Sequence, residues 1–419
     1  MRLEQTGEPQ LLRNVFPYNE VCRIDFDHKL QPLDPAEEMQ ITDTTFRDGQ
    51  QARPPYKVEQ IVAIYDMMHR LSGPKGILRQ CEFFLYSQRD REAVEKCQAL
   101  GHRFPEITGW VRANSEELKA VKEMGLKETG ILTSVSDYHI FLKLGLDRQT
   151  CLDKYLAVVK EALNLGVVPR CHLEDVTRAD IYGFVVPFAL ELTKLREESG
   201  VPIKVRLCDT LGYSITYPGA SLPRSVQGIV YGMHFYSGVP SELLEWHGHN
   251  DFHKVVTNSA TAWLYGASSV NCSILGIGER TGNCPLEAMV MEYCGLKGTD
   301  DGMDLSVITE MAEYFENQLS AEICPRTPFV GRNFNSTRAG IHADGLLKDE
   351  EIYNIFNTEK LLHRPVTVAI DAHSGLAGIA HWINSHFKLK DEKAMAKTDG
   401  LVTRIKAEVD RQFEEGRTT

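Results

Sequence analysis

From Glu38 onward, short apolar runs rich in β-branched and aromatic residues alternate with stretches whose apolar positions recur at helical spacing. The runs predict strands at 39–44, 80–85, 107–111, 129–133, 167–173, 203–208, 243–246 and 269–274. The helical period predicts helices such as 57–71, 115–124, 147–165, 181–198 and 285–294. Eight such units over roughly 260 residues point to an α/β fold, a (β/α)8 TIM barrel. An open doubly wound sheet is the alternative, but no Gly-x-Gly-x-x-Gly follows a strand.

On either side the rhythm fails. Residues 1–36 show no clean period and read as an extended arm over the main domain. Residues 37–300 form the predicted barrel. Beyond it, helices at 305–319 and 377–387 flank a polar middle marked by Pro325-Arg326-Thr327-Pro328 and Gly331-Arg332-Asn333, and the charged tail from Ala394 reads as a last surface helix. Residues 301–419 are therefore expected to be a C-terminal helical subdomain.

Composition narrows the function. The 419 residues are 42% hydrophobic and 25% charged, as in ordinary globular chains. A net charge of -12 gives no electrostatic support to nucleic-acid or membrane-surface binding. No apolar run is long enough to span a bilayer, and Met1-Arg2-Leu3-Glu4-Gln5 lacks a signal peptide's apolar core, so a cytoplasmic location is expected. The ten cysteines are scattered without a Cys-x-x-Cys pair and read as reduced thiols.

The candidate chemistry centres on His247-Gly248-His249-Asn250-Asp251. The run 241–246 reads as a short strand leading in, and 252–266 has helical spacing leading out. Two histidines two positions apart on a strand face one side, so both imidazoles aim at one point at its carboxyl end. Barrel chemistry sits at those strand ends. There the chain places Arg47, Asp48, Arg112, Arg170, Glu174, Thr210 and Asn283. Asp48, His247 and His249 make a mixed nitrogen–oxygen ligand set suited to Mn, Co, Zn or Mg, with Asn283 able to add an amide oxygen. Arg47, beside the carboxylate, is placed to stabilise a developing oxyanion.

Four segments carry a resemblance. They are Asp43-Thr44-Thr45-Phe46-Arg47-Asp48-Gly49, His247 to Asp251, Asn271 to Asn283, and Ala339-Gly340-Ile341-His342-Ala343-Asp344-Gly345. Together they resemble the signature segments of the metal-dependent acyl-CoA/2-oxo-acid synthases among the DRE-type TIM metallolyases, a group with isopropylmalate, homocitrate, citramalate and Re-citrate synthases. The resemblance spans roughly residues 38–385. It implies a Claisen-type condensation of acetyl-CoA with a 2-oxo acid, followed by thioester hydrolysis. It assigns metal ligation to Asp48, His247 and His249 with Asn283 beside them, and catalytic roles to Arg47, Glu174, His342 and Tyr353. Mn2+ or Co2+ is the expected ion, with Mg2+ or Zn2+ as alternatives. The resemblance also implies a homodimer in which the histidine of the helical lid and dimerisation subdomain reaches a partner's site.

Departures from the common pattern sharpen the substrate. Gln50 stands where the family commonly has glutamate, and Arg112-Ala113-Asn114 lacks the histidine of homocitrate synthases. The chain has no room for a leucine-sensing domain, so leucine feedback is not expected. The glutamine-containing first segment resembles Re-citrate synthases most, and Arg112, Arg170 and Arg178 suit a dicarboxylate. Oxaloacetate is therefore the expected 2-oxo acid, with homocitrate, citramalate or isopropylmalate formation as alternatives. Arg326, Arg332 and Arg338 are expected to line the path of anionic acetyl-CoA. Three other classes compete. An acyl-CoA lyase would use a cysteine such as Cys284; a biotin-dependent carboxyltransferase would need a strand-six lysine where Leu207-Cys208-Asp209 stands; a scaffold would bind no metal.

Overall fold

The computed structural model describes residues 1–338, 340–371, 373–389 and 391–416. Ala339, which opens the fourth signature segment, and residues 417–419 of the tail lie outside them. The chain divides into two compact units, Met1–Asp304 and Leu305–Thr419.

In the first unit eight parallel strands close a barrel in sequence order: β1 Gln40–Asp43, β2 Leu78–Phe83, β3 Glu106–Arg112, β4 Glu128–Ser134, β5 Val168–Glu174, β6 Lys204–Asp209, β7 Leu244–Gly248 and β8 Ser269–Cys272. Each predicted run overlaps one of them, with ends displaced by up to two residues. The lead-in to β7 is shorter than the sequence suggests. Ser241–Leu243 forms a helical turn after Pro240, closed by Leu243 N–H on the Pro240 carbonyl at 3.0 Å.

Alternation along the strands separates two layers. One set of side chains packs outward on the helices: Cys81 Sγ lies 3.8 Å from Met68 Sδ, and the Phe83 ring is 6.3 Å from that of Tyr65. The other set faces the lumen and is polar. Arg206 of β6 meets Glu82 of β2 at 3.0 Å across the barrel, and its neighbour Glu245 of β7 at 2.7 Å. The apolar core therefore lies between sheet and helices, and charge fills the lumen.

The arm is fastened by its backbone. Glu4 N–H donates to Gly183 O (2.9 Å), Gln10 N–H to Asp137 Oδ2 (2.8 Å), and Ala36 N–H to Trp263 O (2.9 Å). These partners are loop and helix-end groups, so the segment needs no period of its own.

The second unit holds helices Val307–Leu319, Gly340–Lys348, Leu376–His386 and Gly400–Glu414 and a two-stranded pair, Ser336–Thr337 with Thr367–Val368. Ala343, Leu346, Val366, Val368 and Ala377 form one of its cores. His342 sits in the first turn of a helix, whereas the glycine before it suggests a loop. Among the described residues no helix is long and apolar enough to cross a membrane.

Candidate metal and active site

Asp48, His247 and His249 converge within 4.8 Å, all buried. Asp48 comes from the loop after β1, His247 from β7, and His249 from the residue following it. Both imidazole Nε2 atoms lie 3.6 Å from Asp48 Oδ2. Register explains why His247 is held so. It pairs with Asn271 of β8, whose Oδ1 takes the His247 Nδ1 proton at 2.8 Å. Asn271 Nδ2 in turn donates to Thr42 Oγ1 at 2.8 Å. That tautomer leaves the Nε2 lone pair free for a ligand.

The electrostatics fit a divalent ion. Burial pushes His247 down to about 3 against the pull of Asp48, so its imidazole is neutral. Burial opposes ionisation of Asp48, but the Arg47 guanidinium beside it and the Asn283 hydrogen bond hold the carboxyl below its ordinary value. A carboxylate and two neutral imidazoles are ligand-ready. Asn283 Nδ2 donates to Asp48 Oδ2 at 2.9 Å, while its Oδ1 is buried without a partner. The amide turns its nitrogen to the Asp48 oxygen nearest both imidazoles, so Asn283 braces the carboxylate that would hold an ion.

The loop after β8 is shaped to present Asn283. Gly282 has φ 89°, and a Cβ there would stand 2.1 Å from the Gly276 carbonyl oxygen. Thr45 Oγ1 accepts from Ile274 N–H at 2.8 Å and ties this loop to the one carrying Asp48.

Arg47 lies beside the ligand set, Nη1 3.2 Å from Asp48 Oδ1, with its guanidinium 5.0 Å from the Trp110 ring centroid. Glu82 holds it through Nε at 2.8 Å. Burial opposes the charge on Glu82, yet Arg206, Arg47 and Arg170 keep it ionised, down at about 2.

Glu174 ends β5 and accepts from Ser134, from His139 Nδ1 at 2.9 Å and from Lys143 at 3.0 Å. These outweigh its burial and hold it at about 2, so it is a hydrogen-bond acceptor across the working pH range. Thr210 Oγ1 accepts from Asp175 N–H at 2.9 Å.

Two arginines expected with the substrate stand elsewhere. Arg170 is the third residue of β5, about 13 Å along the strand from Glu174. Its guanidinium is buried against Glu128, Gln80 and Glu245 toward the amino end of the barrel. Arg112 ends β3, but its side chain is exposed and tied to Glu117 through Nε at 2.6 Å.

In the second unit His342 and Tyr353 meet, ring centroids 4.4 Å apart, and His342 Nδ1 lies 3.3 Å from Thr337 Oγ1. Arg326, Arg332 and Arg338 are all exposed there. Glu82, Asn271, His139 and Arg206 are the site-building residues that pattern reading passes over. Their signal is a charged or amide side chain inside an otherwise apolar parallel strand, or, for His139, a helical turn after one.

Residues 38–314 match the HMGL-like family. The chain is 60% identical over 417 residues to a protein named citrate (Re)-synthase from Syntrophus aciditrophicus, covering 100% of this chain and 66%, just under two thirds, of that one. It is 57% identical over 418 residues to the citrate (Re)-synthase of Clostridium kluyveri, covering 100% and 92%. Among solved structures, hydroxymethylglutaryl-CoA lyase from Pseudomonas aeruginosa superposes with a TM-score of 0.55 at 18% identity over 69% of this chain and 95% of that one, a likeness of fold. The match runs through all eight strands and the converging ligands, and this chain belongs to the HMGL-like family of DRE-type TIM barrels.

Proposed function

We infer that this chain condenses acetyl-CoA with oxaloacetate and hydrolyses the resulting thioester to citrate and free CoA, a reading supported by its similarity to proteins named citrate (Re)-synthase. The observation that carries the reading is the buried Asp48, His247 and His249 cluster with Arg47 beside it, in a chain 57–60% identical to those synthases. The family is metal-dependent, and Mn2+ or Co2+ suits this donor set. When bound, the ion polarises the ketone of the 2-oxo acid and anchors its carboxylate.

The chain's own groups do the rest. Arg47 places a fixed positive charge where the ketone oxygen becomes an alkoxide, and Glu82 keeps its guanidinium aimed. Glu174 orients His139 and Lys143 around the incoming thioester. His342 of a partner subunit serves as the acid–base group for the methyl proton, with Tyr353 against its ring. Thr210 contacts a substrate carboxylate; Arg112 is turned to Glu117 at the surface, and Arg170 acts only through the lumen network, holding Glu245. The active species is a homodimer in the cytoplasm.

The lyase alternative loses its reactive thiol. Cys284 is fully buried, bonded toward the equally buried Cys272. The test is an assay panel with acetyl-CoA, Mn2+ and oxaloacetate, 2-oxoglutarate, pyruvate or 2-oxoisovalerate, products identified by mass. Citrate from oxaloacetate alone is expected. Product from another acid would keep the chemistry and move the substrate, and cleavage of a hydroxyacyl-CoA without any condensation would favour the lyase.

A further inference from the structure

The arm does more than cover the barrel unit. With the loops after β4, β5, β6 and β7 it encloses a cavity of about 330 Å3 at the carboxyl ends of the strands. The floor is aromatic. Tyr213 packs between Phe16 of the arm, ring centroids 5.7 Å apart, and Phe252, at 4.8 Å. Tyr213 is 5% exposed, and its hydroxyl is buried with no partner among the described residues. On one wall the Tyr138 ring has two guanidinium groups over it, Arg178 at 4.0 Å and Arg13 of the arm at 5.7 Å. Arg178 is paired with Asp175, but the hydrogen bond of Arg13 is to the Phe16 carbonyl at 3.4 Å, and no carboxylate pairs with it among the described residues. At the lip Tyr18 holds a left-handed backbone, φ 67°, and is 86% exposed. A bulky side chain kept in that conformation and in water needs a reason beyond packing.

Aromatic faces take a planar base, and guanidinium groups take phosphates. We propose that this cavity holds the adenine nucleotide end of acetyl-CoA, which makes the N-terminal arm part of the substrate site. The inference rests on the citrate synthase reading for the identity of the thioester. Asp251 lines the cavity two residues after His249, so the cavity opens beside the ligand set, and its charge is matched by Arg280 at 2.9 Å. The long flexible pantetheine arm of CoA then carries the acetyl group from the cavity to the ligands.

The test compares acetyl-CoA with acetyl-pantetheine, which has no nucleotide, in the full chain and in Arg13→Glu and Tyr18→Ala. Both side chains are exposed, and far-UV circular dichroism checks that the fold is kept. The ratio of kcat/KM for acetyl-CoA over acetyl-pantetheine is expected to fall at least ten-fold in each variant. Calorimetric binding of 3′-phosphoadenosine 5′-diphosphate should weaken by a similar factor. An unchanged ratio with unchanged nucleotide binding overturns the proposal. A fall in Arg332→Glu instead would move the nucleotide to the second unit and also overturn it. If no 2-oxo acid is condensed with either thioester, the proposed activity fails, and the calorimetry still decides the cavity.

Discussion

Asn271 touches no expected substrate atom, yet it decides which nitrogen of His247 faces the ligand set. Replacing such an outer partner typically costs 10- to 100-fold in metal affinity. Asn271→Ala should therefore weaken Mn2+ binding by about that factor in a competition titration, with the fold intact; unchanged affinity would assign the orientation of His247 to packing alone. Glu287 is a different case. Its side chain is buried and accepts Leu275 N–H at 3.1 Å, in the turn where Leu275 has φ 58°. Burial raises its carboxyl from 4.5 to about 7. The sign follows from linkage. Below pH 4.5 both states are protonated and nothing is lost. Between pH 4.5 and 7 the unfolded chain ionises first, so stability falls as pH rises, and above 7 the loss is complete. The span from 4.5 to about 7 corresponds to on the order of 3 kcal/mol. Glu287→Gln keeps the acceptor and removes the titration. Its stability advantage over the parent in urea unfolding should grow from pH 4.5 to pH 7; parallel profiles would contradict the assignment.

Among the elements, the start of the arm adds one buried side-chain anchor to its backbone attachments. Arg148 is fully buried and bridges Asp137 at 2.9 Å, Asp180 at 3.0 Å and the Glu4 carbonyl at 3.1 Å. Asp137 also receives Gln10 N–H. Breaking a buried pair on one side costs about 3–5 kcal/mol, because the partner charge stays behind. Arg148→Met should lower the barrel unit's stability by that order and open the first residues of the arm to limited proteolysis, with cleavage near Glu4 to Leu11. Protection equal to that of the parent would mean that the backbone bonds alone secure the arm.

For the molecule as a whole, two features stand apart from an average barrel. The lumen is filled by an alternating network, Arg47–Glu82–Arg206–Glu245–Arg170–Glu128–Lys204, in place of branched aliphatic layers. Every charge in that chain has an opposite neighbour, so the guanidinium at the mouth is held by carboxylates anchored deeper in the barrel. The second feature is the division into two units, with the ligand set in one and His342 in the other. If a partner supplies that histidine, Asp48→Asn and His342→Ala, each inactive alone, should regain up to about a quarter of parental activity when mixed and allowed to exchange subunits. Exchanged but inactive mixtures would place both groups in the service of one chain.

The sequence by itself determined the eight-fold alternation and singled out Asp48, His247 and His249 as a candidate ligand set, because a buried parallel strand is an apolar run and barrel chemistry gathers in the strand-end loops. Its limits are equally physical. A charged residue in a strand reads as an interruption until the barrel closes and brings Glu82 opposite Arg206. Arg170 reads as a mouth residue until its place in β5 puts it with Glu128 toward the amino end. The arm has no period at all, since its hydrogen bonds go to groups far away in the chain, and only the folded barrel shows that Phe16, Arg13 and Tyr18 line a cavity with Asp251, two residues from the candidate ligand His249.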